Sequence, residues 1–295
     1  MTLISANQKM KDRFDAASAE KQIVSFIRKT VQKANATGVV LGLSGGIDSA
    51  VVAALSSKAL GPENVFCFFF HTGSSYRSDL NDALSLNSQF EFHFQKVDMN
   101  PVFQSAKSVA AEFESGSETD SDSDSESKSG SDSASYIFDG NLKSRLRMSL
   151  LYNFANKNNL LVIGTKNKTE LVTGYFTKFG DGGVDFEPIA GLYKTEVRLL
   201  AKHLGLPENI LTKTPSAGFF EGQSDEADLG ISYEELDAFL LMIEKSKKGG
   251  KIGKKKEKQL VKKSGLSKEK AAAILGRIER AKHKQKMPGC LKLKK

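Results

Sequence analysis

Apolar residues recur at helical spacing over residues 16–34, where Ala19, Ile23, Phe26, Ile27 and Val31 share one face, predicting an amphipathic helix. Val39, Val40, Leu41 and Leu43 follow, with the length and β-branching of a buried strand, and helical spacing returns in the Ala/Val/Leu segment after Ser49. Gly61-Pro62 breaks the chain. Val65–Phe70 then reads as a second buried strand, 79–90 as a helix and Phe92–Val97 as a third strand. Leu142, Leu146, Leu150 and Phe154 mark a helix from Asn141 to Asn156, Leu160–Ile163 a strand, and Asn167–Val172 the start of another helix. Gly174–Gly191 is rich in Gly and Asp and reads as an ordered loop. Lys194–Leu204 is helical and is closed by Gly205-Leu206-Pro207. A last clear helix covers 232–244, with Ser232 and Glu235 spaced as a capping box. Strands alternating with helices predict an α/β protein, a parallel sheet flanked by helices in Rossmann-like fashion.

Two segments break the pattern. Residues 115–135 carry six acids, one Lys and almost nothing apolar, so they are expected to form a disordered, acidic Ser-rich insert. Ser beside acids also suits acidophilic kinases. At the other end, residues 245–295 hold 20 Lys/Arg against 3 Glu, so this stretch carries +17 of a net +8 and the remainder is about −9. The expected organisation is one domain over 1–295, with the insert at 115–135, a flexible Lys-rich segment at 245–263 and a basic tail at 264–295. Ile252, Val261, Leu266, Ala271–Leu275 and Ile278 suggest that part of this end is helical.

No apolar run approaches the ~20 residues of a membrane span, and the N-terminus lacks the apolar core of a signal peptide. Cys67 and Cys290 are the only cysteines and have no C-x-x-C spacing, which argues for a reducing, cytoplasmic setting and against a zinc or thiol-relay site.

The densest chemistry lies at Ser44-Gly45-Gly46-Ile47-Asp48-Ser49, between a strand and a helix. Such a turn presents backbone N–H groups and a positive helix end to an anion, and its glycines let a phosphate approach the chain. It is not the usual P-loop, for it lacks Gly-x-x-x-x-Gly-Lys-[Ser/Thr]. It resembles the pyrophosphate loop of the ATP pyrophosphatases, which cut ATP between the α and β phosphates and adenylate a substrate oxygen.

A second block runs from Gly164-Thr165-Lys166-Asn167-Lys168-Thr169-Glu170 through Gly174-Tyr175-Phe176-Thr177-Lys178-Phe179-Gly180-Asp181-Gly182-Gly183-Val184-Asp185 to Leu192-Tyr193-Lys194. Together with Gly140–Met148, Thr214–Ala217 and Ser224–Tyr233 it closely resembles the ammonia-dependent NAD synthetases, over roughly 20–245 and again around His283. The resemblance implies an adenine nucleotide alpha hydrolase-like fold and a ligase that adenylates the nicotinate carboxylate of deamido-NAD with ATP and then amidates it with ammonia. Residue by residue, it makes Gly42, Leu43, Ser44, Gly45, Gly46, Ile47, Asp48 and Ser49 the ATP loop, with Thr165, Lys194 and Ser216 as further ATP contacts. Asp48 and Glu170 would hold Mg²⁺. Arg145, Lys178, Asp185, His283 and Lys284 would contact deamido-NAD. No residue is assigned as acid or base. It also implies a homodimer, with nitrogen supplied as free ammonia or by a separate glutaminase. The alternative for Glu170 is a surface helix acid facing Lys166, and as a lone residue Lys194 reads as a solvated helix lysine.

This sequence departs from the family pattern at Gly73–Asp79 and at Gln285-Lys286, and it adds the acidic insert and the Lys-rich run. Two other readings remain open: a tRNA-modifying enzyme of the same superfamily, or a non-catalytic nucleic-acid-binding relative using the basic end. The missing cysteine motifs and the 164–185 block oppose the first, and Lys-rich runs are more often solvated than specific, so no nucleic-acid or membrane partner is expected.

Overall fold

A computed structural model describes residues 2–73, 77–115, 131–219, 222–246, 254–286 and 288–291. Helices α1 (Leu3–Arg13) and α2 (Ala16–Lys33) lead into β1 (Gly38–Gly42) and α3 (Ile47–Leu60). Next come β2 (Val65–His71), α4 (Arg77–Phe90), β3 (His93–Asp98), α5 (Asn100–Ser115), α6 (Ser131–Asn158) and β4 (Leu160–Val162). The rest is helical: α7 (Lys168–Thr173), α8 (Lys194–His203), α9 (Glu208–Thr212), α10 (Asp225–Leu229), α11 (Tyr233–Ser246), α12 (Lys254–Ser264) and α13 (Lys268–Ala281).

The four strands are parallel in the order β3-β2-β1-β4, with Val39 opposite Val65 and Leu161, and Phe66 opposite His93. β1 alternates its side chains across the sheet, so Val39 and Leu41 face one core and Val40 the other. On the first face, α2 contributes Ile23, Ile27 and Val31, and α8 contributes Val197 and Leu200. Between them runs α3, apolar all round and buried along nearly its whole length. Its Ser56 and Ser57 remain satisfied there by donating to the carbonyls of Val52 and Ala53, at 2.7 and 3.2 Å. On the second face, Leu151 and Ala155 of α6 cover Val40, Phe68 and Val162. A separate cluster joins α1, α11, α12 and α13 through Met10, Phe239, Leu240, Leu260 and Ile274. Strand order reverses at β1: the chain winds outward to β3, then returns to β4 on the other side. A crevice therefore opens between the carboxyl ends of β1 and β4, where open α/β sheets bind ligands.

The structure moves several expected boundaries. α6 begins at Ser131, inside the segment expected to be disordered to 135, while residues 116–130 lie outside the described residues. The Lys-rich stretch expected to be flexible over 245–263 includes α12 from Lys254 onward, anchored by buried Leu260; residues 247–253 lie outside the described residues. The basic tail is not free either. Ala271, Ile274 and Ala281 of α13 are buried, and Lys284 and Gln285 beyond it bond to residues 171–176. Among the described residues no helix is long and apolar enough to cross a membrane.

Candidate active site

β1 ends in a self-braced turn. Ser44 N–H donates to Ser49 Oγ at 3.2 Å, Gly46 N–H donates to Ser44 Oγ at 3.2 Å, and Ser49 Oγ donates to the Gly46 carbonyl at 3.0 Å. Gly45 has φ +76°, and a Cβ there would sit 2.5 Å from the Asp79 carbonyl, so both backbone conformation and space require glycine. Gly46 is the N-cap of α3 and gives it no side-chain cap, so first-turn N–H groups face the crevice as an anion site would need. Lys213 reinforces the turn from behind: its Nζ donates to Asp79 Oδ1 at 2.6 Å, to Asp82 Oδ2 and to the Gly45 carbonyl at 3.4 Å. Burial works against its charge, but the two carboxylates outweigh it and raise Lys213 above the usual lysine range.

Across the crevice, β4 gives way to Thr165, half-buried at the strand's carboxyl end, and to α7. Asn167 caps α7 in a reciprocal box: Glu170 N–H donates to Asn167 Oδ1 at 3.0 Å and Asn167 N–H to Glu170 Oε2 at 3.2 Å. The Asn167 Nδ2 donates to Asp48 Oδ1 at 2.9 Å, bridging the two loops. Lys194, the first residue of α8 and only 2% exposed, pairs through Nζ with Asp48 and, at 3.6 Å, with Glu170. Burial raises the Glu170 carboxyl to about 8, with Asp48 adding to the shift and Lys194 opposing it. Burial opposes the Lys194 charge in turn, but Asp48 and Glu170 raise it above the usual lysine range. Two crowded carboxylates already gripping an ammonium are hard donors suited to a divalent cation whose remaining ligands are phosphate and water oxygens.

The expected residues fall into groups. Asp48, Glu170 and Lys194 converge with the Gly42–Ser49 loop. Ser216 is exposed on the segment that Lys213 ties to that loop, its Oγ accepting from Gly218 N–H at 3.1 Å. Arg145, Lys178 and Lys284 lie beside the glycine-rich loop. Arg145 is exposed on α6 and lowers the neighbouring Lys284, whose shift is due first to burial. Lys178 packs with its ammonium 5.0 Å from the Phe179 ring. The Lys284 ammonium donates to the carbonyls of Gly174 and Phe176, at 2.8 and 2.6 Å. Asp185 accepts from Val162 N–H at 2.7 Å and from the Tyr152 hydroxyl at 3.1 Å, pinning the loop to β4. His283 is exposed. Arg147, on the same helix as Arg145, is lowered by burial, and Asp181, which also accepts from Ser144 Oγ at 3.0 Å, opposes that shift.

Sequence reasoning missed Asn167, Lys213 and Asp225. Asn167 was legible, since Asn-x-x-Glu before a helix is a capping signal. Lys213 and Asp225 reach the site only through tertiary packing. Asp225 is buried in α10, its Oδ2 accepting from the Tyr233 hydroxyl at 2.8 Å, and burial raises its carboxyl.

A turn that presents backbone N–H groups toward an acidic pair and a buried lysine, at the switch point of a parallel sheet flanked by helices, is the architecture of α/β proteins of the adenine nucleotide alpha hydrolase fold. A family model described as NAD synthase matches residues 19–288, and the chain belongs to that family. It is 42% identical over 275 residues to the NH(3)-dependent NAD(+) synthetase of Methanosarcina mazei, spanning 93% of this chain and 97% of that one. Among solved structures, it is similar to the NH3-dependent NAD synthetase of Campylobacter jejuni at TM-score 0.68 and 32% identity, covering 94% of this chain and 100% of that one. It is also similar to the NMN synthetase of Francisella tularensis at TM-score 0.75 and 30% identity, covering 95% and 100%.

Proposed function

We propose that this chain forms NAD by amidating deamido-NAD with ammonia, using ATP and Mg²⁺. A carboxylate is a poor electrophile, so its oxygen must first become a leaving group. The nicotinate carboxylate oxygen attacks the α-phosphorus of ATP, the bond to the bridging oxygen breaks, and pyrophosphate leaves. Ammonia then attacks the acyl carbon, the bond to AMP breaks, and the nitrogen loses a proton. The chain contributes mainly position and charge. The N–H groups of the Ser44–Ser49 turn face the polyphosphate, and Lys194 meets its charge. Asp48 and Glu170 would hold Mg²⁺, which when bound supplies charge neutralisation on the phosphates. The glycine-rich loop, flanked by Arg145, Lys178 and Lys284, would receive deamido-NAD. The observation that carries the reading is the meeting of Asp48 and Lys194, 146 residues apart, beside Glu170 and at the mouth of the turn. Family membership favours this reading over a tRNA-modifying enzyme or a non-catalytic nucleic-acid binder.

We also read the protein as a homodimer. Val109 and Phe113 of α5 and Ile137 and Phe138 of α6 are 53, 80, 51 and 70% exposed, an apolar face that a second copy would cover. The free cysteines, Cys67 and Cys290, fit a cytoplasmic setting, with free ammonia or a separate glutaminase as nitrogen source.

The likeness to an NMN synthetase favours a second reading, in which the mononucleotide acid is the substrate. One experiment separates the two: purified protein receives ATP, Mg²⁺ and an ammonium salt at alkaline pH with either nicotinate dinucleotide or nicotinate mononucleotide. NAD and AMP should form from the dinucleotide, and Asp48→Asn and Glu170→Gln should each lose about 100-fold or more of that rate. Preferential turnover of the mononucleotide establishes the second reading, and a folded protein that amidates neither sinks both.

A further inference from the structure

Glu170 and Lys194, read above as holding Mg²⁺ and meeting the polyphosphate, sit at the first turns of two short helices. Glu170 is the third residue of the six-residue α7, and Lys194 is the first residue of α8. Helices this short have little stability of their own and take their orientation from what they pack against. Both are tied to one buried group. Asp237 of α11 is 0% exposed, and its carboxylate accepts the Thr169 hydroxyl on Oδ1. Its Oδ2 accepts the Thr195 N–H at 2.8 Å and the Thr195 hydroxyl at 2.7 Å. Thr169 Oγ1 in turn accepts the Lys194 N–H at 3.0 Å. Thr169 precedes Glu170 in sequence, and Thr195 follows Lys194.

We propose that Asp237 is a positioning residue for phosphate chemistry, locking the first turns of α7 and α8 together and thereby setting where Glu170 and Lys194 stand relative to each other. The proposal rests on the reading of that site as one for Mg²⁺-bound ATP. Asp237 touches neither solvent nor the crevice, so it acts only through the two threonines. Its carboxylate takes the place of a capping residue for Thr195 N–H, one of the first-turn donors a helix leaves unpaired. A negative charge there also complements the positive ends of both helices. Charge is not the source of any large gain in stability: burial pushes the carboxyl up to about 6 despite the threonine hydrogen bonds and Lys194. What it contributes is geometry. α11 carries the wall of the site on the same face, since Tyr233, four residues earlier, lies 5.1 Å beneath the Lys194 ammonium and donates to Asp225.

The test is calorimetric binding, without turnover, to Asp237→Leu, Asp237→Asn, Thr195→Val and Thr195→Ser in the full chain. Asp237→Leu should weaken ATP in the presence of Mg²⁺ by about tenfold or more, the scale on which small misplacements act. Binding of deamido-NAD alone should change by less than about twofold, because its loop is held from other elements. Asp237→Asn, which keeps one acceptor oxygen, should fall between, and Thr195→Val should weaken ATP while Thr195→Ser restores it. If Asp237→Leu does not fold, the threonine pair decides. A folded Asp237→Leu, or failing that Thr195→Val, that binds Mg²⁺-ATP as the parent does overturns the proposal. So does an equal loss for both ligands, which would mark a purely structural role. A parent that binds Mg²⁺-ATP yet makes neither NAD nor NMN defeats the functional reading and leaves this test standing.

Discussion

Three acidic side chains at or behind the site share one electrostatic condition. Burial raises Glu170, Asp225 and Asp237, so this part of the molecule resists the negative charges that the proposed chemistry uses. For Asp237 the sign is direct. Its folded carboxyl titrates near 6, above the ordinary aspartate range, so its contribution to stability is full below about pH 4 and is lost as pH rises through 6. Unfolding by urea between about pH 4 and pH 6.5 should show the parent losing on the order of 2 to 3 kcal/mol from this group. Asp237→Asn should flatten that part of the profile, and an unchanged slope would contradict the assignment. Asp237 was invisible in the sequence. A lone Asp in the middle of a predicted amphipathic helix has no local signature, since its partners Thr169 and Thr195 are 68 and 42 residues away. Asp48 and Glu170 were legible because each lies in a short dense motif. Asp185 was legible as a site candidate, but the structure engages both its oxygens in holding the loop, one to Val162 of β4 and one to Tyr152 of α6.

At the scale of elements, legibility followed periodicity. α2, β1, β2 and α8 announce themselves because each buries a regular apolar face. α1 was not read, for Leu3–Arg13 is mostly polar and buries only Ala6 and Met10. α5 was not read either, since it leaves much of its apolar surface exposed. The glycine-rich loop is ordered by contacts that no local pattern encodes. Gly174 ends α7 at φ +69°, and a Cβ there would lie 2.4 Å from the Ala281 Cβ of α13. Gly174→Ala therefore combines left-handed backbone strain with a steric clash and should destabilise the protein by about 2 kcal/mol or more. Thermal unfolding measures this, and limited proteolysis should show the C-terminal helix cut earlier than in the parent. A variant as stable and as resistant as the parent would mean that α13 does not press on the loop.

The whole molecule keeps its candidate crevice at the carboxyl ends of β1 and β4 and large exposed apolar side chains on α5 and α6. Val109, Phe113, Ile137 and Phe138 are large apolar side chains left more than half exposed on these two helices, which is the feature the proposed dimer would cover. If the parent is the proposed dimer, replacing Phe113 and Phe138 together with Asp should leave a monomer in analytical ultracentrifugation, with helix content unchanged by circular dichroism. A parent that sediments as a monomer would dismiss the dimer. Charge is arranged just as unevenly. Part of the basic excess of the C-terminal region lies on α12 and α13, and these two helices pack onto α1 and α11 through Leu260, Ala271 and Ile274.

The clamp after α13 also has a consequence for synthesis. The turn at residues 44–49 leaves the ribosome early, while the groups that hold the glycine-rich loop, Ala281, Lys284 and Gln285, follow only after all four strands have been made. A nascent chain can therefore form its sheet before the strap on that loop exists. The two walls of the crevice are finished at different times, and the loop takes its shape only once α13 has emerged.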